Sequence, residues 1–142
     1  MLFPITIFLS AFLLFQVQPM MGRYILPWFG GAGGVWTICL LFFQVTLLAG
    51  YLYAHALTRY CNGRVQRVIH CGLLLVSLAA LPIYPGEALK PQSGAEPAAG
   101  ILAVLALTAG LPYFLLSTTG PLVQAWFARE HEGRTPYRLF AL

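Results

Sequence analysis

The sequence predicts an all-α membrane protein with about four transmembrane helices, both termini in the cytoplasm, and a last helix that is long and kinked by proline. The eight Lys and Arg residues and the four Asp and Glu residues all fall in short gaps, and the long stretches between the gaps carry no charge. Hydrophobic residues make up 59% of the chain and charged residues 8%, whereas soluble domains carry about 25% charged residues. Because a charge at the middle of a membrane helix costs about 2.5–3.5 kcal/mol, this segregation is typical of helices that lie in hydrocarbon.

The charge-free stretches predict the individual spans, because a helix needs about 20 residues, in a range of roughly 17–25, to cross a bilayer. The first three have 18, 24 and 17 residues and each fits one crossing, whereas the fourth has 29 residues and predicts one tilted or broken helix. The whole chain, 1–142, is then a single transmembrane domain with spans at 2–19, 35–58, 68–84 and 99–127. Outer loops at 20–34 and 85–98, a cytoplasmic loop at 59–67 and a cytoplasmic tail at 128–142 complete the prediction.

The basic residues predict the orientation of these helices. Four crossings place six arginines on the side of the two termini and only two basic residues, Arg23 and Lys90, on the other side. The six are Arg59, Arg64, Arg67, Arg129, Arg134 and Arg138. An excess of basic residues in short loops marks the cytoplasmic side, so both termini are expected there.

The net charge of +4 is spread over several loops rather than along one element, so we expect no nucleic-acid partner. The expected partners are the lipid bilayer and other membrane protein subunits.

The densest glycine run, at 30–34, lies between the first two spans. A phosphate-binding loop would follow a strand and, in the Walker type, end in Gly-Lys-Ser/Thr; this run is followed by Val35. It therefore predicts a tight turn back into the membrane, with Trp28 and Trp36 as anchors at the membrane–water interface.

Two prolines, Pro112 and Pro121, predict kinks in the last span, because each lacks a backbone donor and its ring clashes with the carbonyl four residues earlier. Broken helices form binding sites in many transporters, and they also occur as purely structural elements. In the structural case, the hydroxyls of Ser117, Thr118 and Thr119 are available to satisfy freed backbone groups. The structural interpretation is favoured.

Two histidines are the candidate cofactor-binding residues. His55 ends the second span and His70 begins the third, so both imidazoles are expected near the cytoplasmic face. A facing pair could ligate a haem, and a single imidazole could bind a chlorophyll-type magnesium. The plainer interpretation is two interfacial histidines beside Arg59 and Arg67, and we expect no cofactor.

Gln16, Gln44 and Thr118 are the candidate substrate-binding residues within the spans. Neutral polar groups of this kind also hydrogen-bond between helices, at about 0.6 kcal/mol each, and this structural role is the leading interpretation. The spans contain no Asp or Glu. Since proton relays and sites for polyamines or metal cations normally use intramembrane carboxylates, the chain alone is not expected to be a proton-coupled pump or a self-sufficient polyamine carrier.

We expect a protein that is not an enzyme and has no catalytic or metal site. The sequence offers no set of nucleophile, base and acid, no paired carboxylates and no dinucleotide fingerprint. Its three cysteines, Cys39, Cys61 and Cys71, form no Cys-x-x-Cys pair and are expected to be free, mostly structural thiols.

Several segments, in the same order along the chain, resemble the membrane portion of bacterial spermidine synthase-like proteins, often described as fused major facilitator/spermidine synthase proteins. They are FQVQPMMGR at 15–23, LPWFGG at 26–31, VWT at 35–37, LFFQV at 41–45, LAGYLYAH at 48–55, GLPYFLLSTT at 110–119, PLVQAWFAR at 121–129 and PYRLFAL at 136–142. The resemblance implies a protein of the bacterial inner membrane. It also implies full-length relatives with further spans and a cytoplasmic aminopropyltransferase-like domain, whose active-site residues have no counterpart in this chain.

The loop TRYCNGRVQR at 58–67 is similar to the basic, glycine-containing loop between the second and third helices of major facilitator transporters. That loop is cytoplasmic in those transporters, which agrees with the orientation expected from the charges. Thr58 stands nearest the position of the aspartate in that motif.

These observations favour a non-catalytic membrane subunit that packs its helices against partners in a larger assembly. Gly50, Ala54 and Gly72 are the small residues expected to allow close helix packing. One alternative is a partial transport module for a small solute such as a polyamine. The other is a haem- or pigment-binding membrane subunit that uses His55 and His70.

Overall fold

A computed structural model describes residues 2–30, 33–79, 81–86, 89–90 and 97–130. Within these ranges the chain is helical with no strand, which confirms the predicted all-α class. The elements are α1 (Leu2–Ile25), a 3₁₀ turn (Leu26–Phe29), α2 (Gly33–Tyr60), α3 (Gly63–Leu78), α4 (Pro97–Leu105), a π-helical turn (Ala106–Gly110) and α5 (Leu111–Glu130). The predicted tail beyond residue 130, with His131, Arg134 and Arg138, lies outside the described residues.

Three helical segments are long and apolar enough to cross a membrane. They are Leu2–Phe29, Gly33–Tyr60 and Pro97–Glu130, and the last has 34 residues. A rise of 1.5 Å per residue gives that segment a length of about 50 Å, against about 30 Å of hydrocarbon. The predicted long last helix is confirmed, and it must tilt in a bilayer or extend beyond the hydrocarbon.

The third helix differs from the predicted span 68–84. The 16-residue α3 runs over Gly63–Leu78, so it begins five residues earlier and ends six residues earlier than expected. Asn62 has the extended conformation of a helix N-cap, which brings the basic loop residues into the first turns. Leu81 precedes Pro82, and a residue before proline is disfavoured in the α-helical conformation. The apolar run therefore continues past the end of the helix.

The first helix also differs from the prediction, because it runs through Pro19 to Ile25 instead of ending at residue 19. Its last turns bury Met21, Gly22 and Ile25, and this burial favours continuation of the helix although Pro19 cannot donate to the carbonyl four residues earlier. The predicted outer loop 20–34 is therefore mostly helical. Within the expected tight turn, Gly30 has a left-handed φ of 81° and its N–H caps the 3₁₀ turn, while residues 31–32 lie outside the described residues.

The structure shows a local change of helix type beside the first of the two expected proline kinks. The π-helical turn Ala106–Gly110 lies immediately before α5, where Pro112 cannot donate to the carbonyl of Thr108. At the second position α5 continues through Pro121 without a break. The first proline thus follows a wider turn, whereas the second lies within a continuous helix.

The four helices α1, α2, α3 and α5 form a bundle with α5 at its centre, in contact with the other three. α2 is parallel to α5, because the Phe43 ring lies 4.7 Å from that of Tyr113 at one level and the Arg129 guanidinium bonds the α2 backbone near its end. α1 is antiparallel to α5, with the Phe3 and Phe127 rings 5.4 Å apart. The α3–α5 hydrogen bonds described below show that α3 is antiparallel as well.

The main core lies between α1, α2, α4 and α5. Its buried residues are Val17, Met21, Ile25, Val35, Cys39, Phe43, Ile101, Val104, Leu105, Ala109 and Tyr113. Many other large apolar side chains are exposed on the outer faces of the helices, as expected for surfaces that contact lipid.

Two glycines allow neighbouring helices to approach closely. A Cβ atom at Gly50 would overlap the Ser117 hydroxyl and lie 3.3 Å from the Phe114 carbonyl, so this glycine sets the distance between α2 and α5. A Cβ atom at Gly22 would overlap the Trp36 ring between α1 and α2. Gly72, in contrast, has open space where its Cβ would be.

The substitution Gly50→Ala is expected to destabilise the bundle by about 1–3 kcal/mol, because the added methyl group overpacks the contact with Ser117. Thermal unfolding in a mild detergent, followed by circular dichroism, measures the change. The matched control is Gly72→Ala, which should leave the stability unchanged or raise it by up to about 1 kcal/mol, because alanine is the better helix former. Equal effects of the two substitutions would contradict the close contact.

Candidate functional site

One concavity between the helices is a groove between α1 and α2, with α5 as its floor. Its volume is about 590 Å³. Its polar lining residues are Ser10 and Gln18 on α1, Gln44 and Tyr51 on α2, and Tyr113, Ser117 and Gln124 on α5. We call it the amide groove, after its three glutamines.

The three carboxamides of the amide groove have no hydrogen-bond partner within the described part of the chain. Gln18 and Gln124 are half-buried and Gln44 is exposed, near the middle of α2. An amide without a hydrogen bond costs several kcal/mol in a hydrocarbon environment. In a bilayer, three such amides in one open groove would be stabilised by a polar occupant.

The structure does not bring the three predicted substrate-binding residues together. Gln44 lines the amide groove. Gln16 is exposed on another face of α1, where it lines a separate cleft with Arg23. Thr118 is fully buried, and its hydroxyl donates to the Leu115 carbonyl at 2.8 Å.

The sequence reasoning missed Gln18 and Gln124 as groove residues. Gln16 and Gln18 are two positions apart and so about 200° apart around a helix, which means that only one of them can face the groove. Periodicity alone does not show which of the two faces α2. Gln124 lies on a third element, and no spacing in the sequence connects it to Gln44.

Most hydroxyl groups in the helices do not join neighbouring helices, which corrects the leading interpretation of the neutral polar residues. They donate instead to carbonyls three or four residues earlier in the same helix. This holds for Thr6, Ser10, Thr37, Thr46, Thr58, Thr108, Ser117, Thr118 and Thr119. The hydroxyls near Pro121 thus bond to the Phe114 and Leu115 carbonyls, and not to the Ser117 carbonyl that this proline leaves free.

Specific polar contacts between helices are concentrated where α3 and the end of α5 meet. The Trp126 indole N–H donates to the Gln66 carboxamide oxygen at 2.9 Å. Gln66 is fully buried, and its amide nitrogen donates to the Cys61 carbonyl at 2.7 Å. The indole and the α2–α3 loop are therefore connected through one side chain.

The two candidate histidines occupy different environments. His55 is exposed on α2, whereas His70 is buried between α3 and α5, with its Nε2 atom 3.4 Å from the Thr119 hydroxyl oxygen. Because the Thr119 hydroxyl donates to the Leu115 carbonyl, its oxygen accepts the hydrogen bond from Nε2. The Nδ1 atom of His70 is buried without a partner. No contact among the described residues joins the two imidazoles, and their role as cofactor ligands stays a prediction.

The basic residues collect at one end of the bundle, where α2 and α5 end and α3 begins. The Arg129 Nη2 atom donates to the Thr58 carbonyl at 2.9 Å and so caps α2. Arg59, Arg64 and Arg67 are exposed at the same end. At the opposite end, aromatic residues accompany Arg23 and Lys90, the two other basic residues within the described ranges. The Tyr24 and Tyr84 rings are 5.5 Å apart there, and the Lys90 Nζ atom lies 5.7 Å from the centre of the Trp28 ring.

The described residues contain no cluster of three His, Cys, Asp or Glu side chains that could hold a metal ion. Cys39 is buried, Cys61 is half-buried and Cys71 is exposed, and all three are free thiols.

Comparisons with known proteins give no relative for this chain. No family model matches it. No curated protein and no solved structure is similar to it.

The buried pair Gln66 and Trp126 is expected to show a coupling of about 1 kcal/mol in a double-mutant cycle, because each single substitution leaves a buried polar atom without its partner. The cycle uses Gln66→Leu, Trp126→Phe and the double variant, with the free energy of unfolding in detergent as the measured quantity. A control cycle combines Gln16→Leu with Trp126→Phe and should be additive. Additive effects in the Gln66 cycle would show that the hydrogen bond contributes nothing.

Proposed function

We propose that this chain is a non-catalytic integral membrane module that packs against transmembrane helices of a larger assembly. The observation that carries this proposal is the amide groove, because its three glutamines have no partner in the described chain. A partner helix that offers hydroxyl or amide side chains satisfies these groups where lipid tails cannot.

The shape of the groove supports a helical occupant. Its walls come from α1 and α2, and its floor comes from the middle and end of α5. A carboxamide donates and accepts hydrogen bonds at once, so Gln18, Gln44 and Gln124 can bond to partner side chains that donate as well as to those that accept. Each such bond between membrane helices contributes about 0.6 kcal/mol, and the apolar lining supplies packing in addition.

The small residues divide between internal and external roles. Gly50 and Ala54 are buried against α5 within the chain and so are not available to a partner. Gly72 on α3 has open space beside it and allows the close approach of another helix.

For the orientation, we propose that the arginine-rich end faces the cytoplasm. Arg59, Arg64, Arg67 and Arg129 lie at this end, against Arg23 and Lys90 at the other, and the positive-inside rule gives the side. The resemblance to the membrane portion of bacterial spermidine synthase-like proteins favours the bacterial inner membrane as the location.

Photo-crosslinking in native membranes tests the packing role. A p-benzoylphenylalanine residue in place of Tyr51, which lines the groove, is expected to form protein adducts of discrete mass. The matched control replaces Val45, which is 58% exposed and does not line the groove, and should give only lipid adducts. The additional substitution Gln44→Leu should reduce the adduct yield at position 51, because it removes a hydrogen-bonding group. Only lipid adducts at both positions would refute the proposal.

A second candidate function is a partial transport module for a small solute such as a polyamine. It is favoured by the same groove, because an open volume of about 590 Å³ with several polar lining residues is also compatible with water and a solute. In this case the three amides bind the solute or its hydration shell in place of a partner helix.

If the groove holds a solute, Gln44→Ala should weaken the binding of radiolabelled spermidine to the purified chain, since it removes a polar group that lines the groove. The matched control is Gln16→Ala, which lies outside the groove and should leave binding unchanged. Unchanged binding in the Gln44→Ala variant would remove the transport function.

A further inference from the structure

A second concavity, distinct from the amide groove, lies at the arginine-rich end of the bundle. It has a volume of about 420 Å³ and is formed by the starts of α1 and α3 and the end of α5. Its lining residues are Phe3, Gly63, Arg67, Trp126, Arg129 and Glu130. We call it the basic-end pocket.

The two arginines of this pocket are positioned by the backbone and keep free donors. The Arg67 Nε atom donates to the Gly63 carbonyl at 3.2 Å, which leaves both of its Nη groups available. The Arg129 Nη2 atom donates to the Thr58 carbonyl at 2.9 Å, which leaves its Nη1 and Nε donors. Two guanidinium groups that line one pocket and keep open N–H donors offer charge-assisted hydrogen bonds to a phosphate group.

The first turn of α3 adds to the positive potential of the pocket. Helix N-terminal amides have no partner within the helix and attract anions. Gly63 is the first residue of this helix, and its missing side chain leaves the backbone open to the pocket. An added Cβ atom at this position would lie 3.9 Å from the Arg129 Nη1 atom.

The pocket also contains a carboxylate, which restricts the ligand chemistry. Glu130 lines it, and among the described residues it forms no ion pair with Arg67 or Arg129. A ligand with negative charge alone would be repelled by Glu130. A ligand that carries both a phosphate diester and a primary ammonium group complements the positive arginines and the negative carboxylate. Its ammonium group has three N–H donors for the carboxylate.

The position of the pocket indicates a lipid rather than a free metabolite. It lies at the level of the exposed arginines, where phospholipid headgroups meet a cytoplasmic surface. Phe3 and Trp126 supply an apolar wall of the kind found at a membrane–water interface. We propose that the basic-end pocket binds the headgroup of an aminophospholipid, with the phosphate between Arg67 and Arg129 and the ammonium group at Glu130.

Native mass spectrometry of the detergent-solubilised chain, titrated with single lipids that have identical acyl chains, tests this site. The wild-type chain is expected to bind phosphatidylethanolamine about tenfold more tightly than phosphatidylcholine, whose quaternary ammonium has no N–H donor. The substitution Arg67→Gln should weaken phosphatidylethanolamine binding by about tenfold. Arg64→Gln is the matched control, because Arg64 is on the same helix but does not line the pocket, and it should change binding by less than about threefold.

Glu130→Gln distinguishes an aminophospholipid site from a general anion site. This variant should lose the preference for phosphatidylethanolamine and bind phosphatidylglycerol at least as well, because the repelling carboxylate is gone. Equal binding of all three lipids by the wild-type chain would overturn the proposal, as would a preference that survives in Glu130→Gln. Soluble phosphoethanolamine that competes at concentrations similar to those of the lipid would show that the ligand is not a lipid. Circular dichroism confirms in each case that the variant is folded.

Discussion

The bundle depends on how closely the backbones of its helices can approach α5, the helix that contacts the other three. In hydrocarbon there is no hydrophobic driving force between helices, so close packing and hydrogen bonds must hold them together. The contact between Gly50 and Ser117 brings α2 against α5, and the same contact forms the floor of the amide groove at Ser117. The close contact between α2 and α5 thus adjoins the amide groove.

Polar side chains serve two different purposes in this fold. Hydroxyl groups donate to carbonyls of their own helix, as Thr118 does to the Leu115 carbonyl. Their hydrogen-bonding capacity is thus satisfied without a bond to a neighbouring helix. Longer side chains with an amide, an indole or a guanidinium reach between elements, as Gln66 and Arg129 do. The hydrogen bonds of the hydroxyls within their own helix lower the cost of placing these groups in lipid. The longer side chains specify which helices meet at the arginine-rich end.

The distribution of charge predicts the all-α class and about four spans, of which three are long apolar helices in the structure. It also predicts the end of the bundle at which most of the described arginines collect. The helix ends were predicted less well, because a proline in the sequence does not reveal whether tertiary burial maintains the helix. Pro19 lies inside α1 because the residues after it are buried, whereas the apolar run before Pro82 ends in an irregular segment. Packing decided between these outcomes, and packing is not visible in a local pattern.

The same limit applies to the candidate site. Gln44 was identified because it is a polar residue in the middle of an apolar helix, and it does line the groove. Its neighbours in the groove, Gln18 and Gln124, come from other helices, and the sequence does not determine how these helices are rotated about their own axes. The basic-end pocket is likewise not visible in the sequence, where Arg67 belongs to a predicted loop and Arg129 and Glu130 belong to a predicted tail. Only the packing of α3 on α5 brings these residues together.

The π-helical turn at Ala106–Gly110 has a consequence for the angular phase of the last helical segment. Such a turn holds one residue more than an α-helical turn, so each side chain after it is rotated by about 100° compared with an uninterrupted helix. The direction in which Ser117 and Gln124 point is thus determined several residues upstream. Loss of a single residue from this turn would turn both side chains away from α2 while leaving the composition and apolar character of the helix almost unchanged.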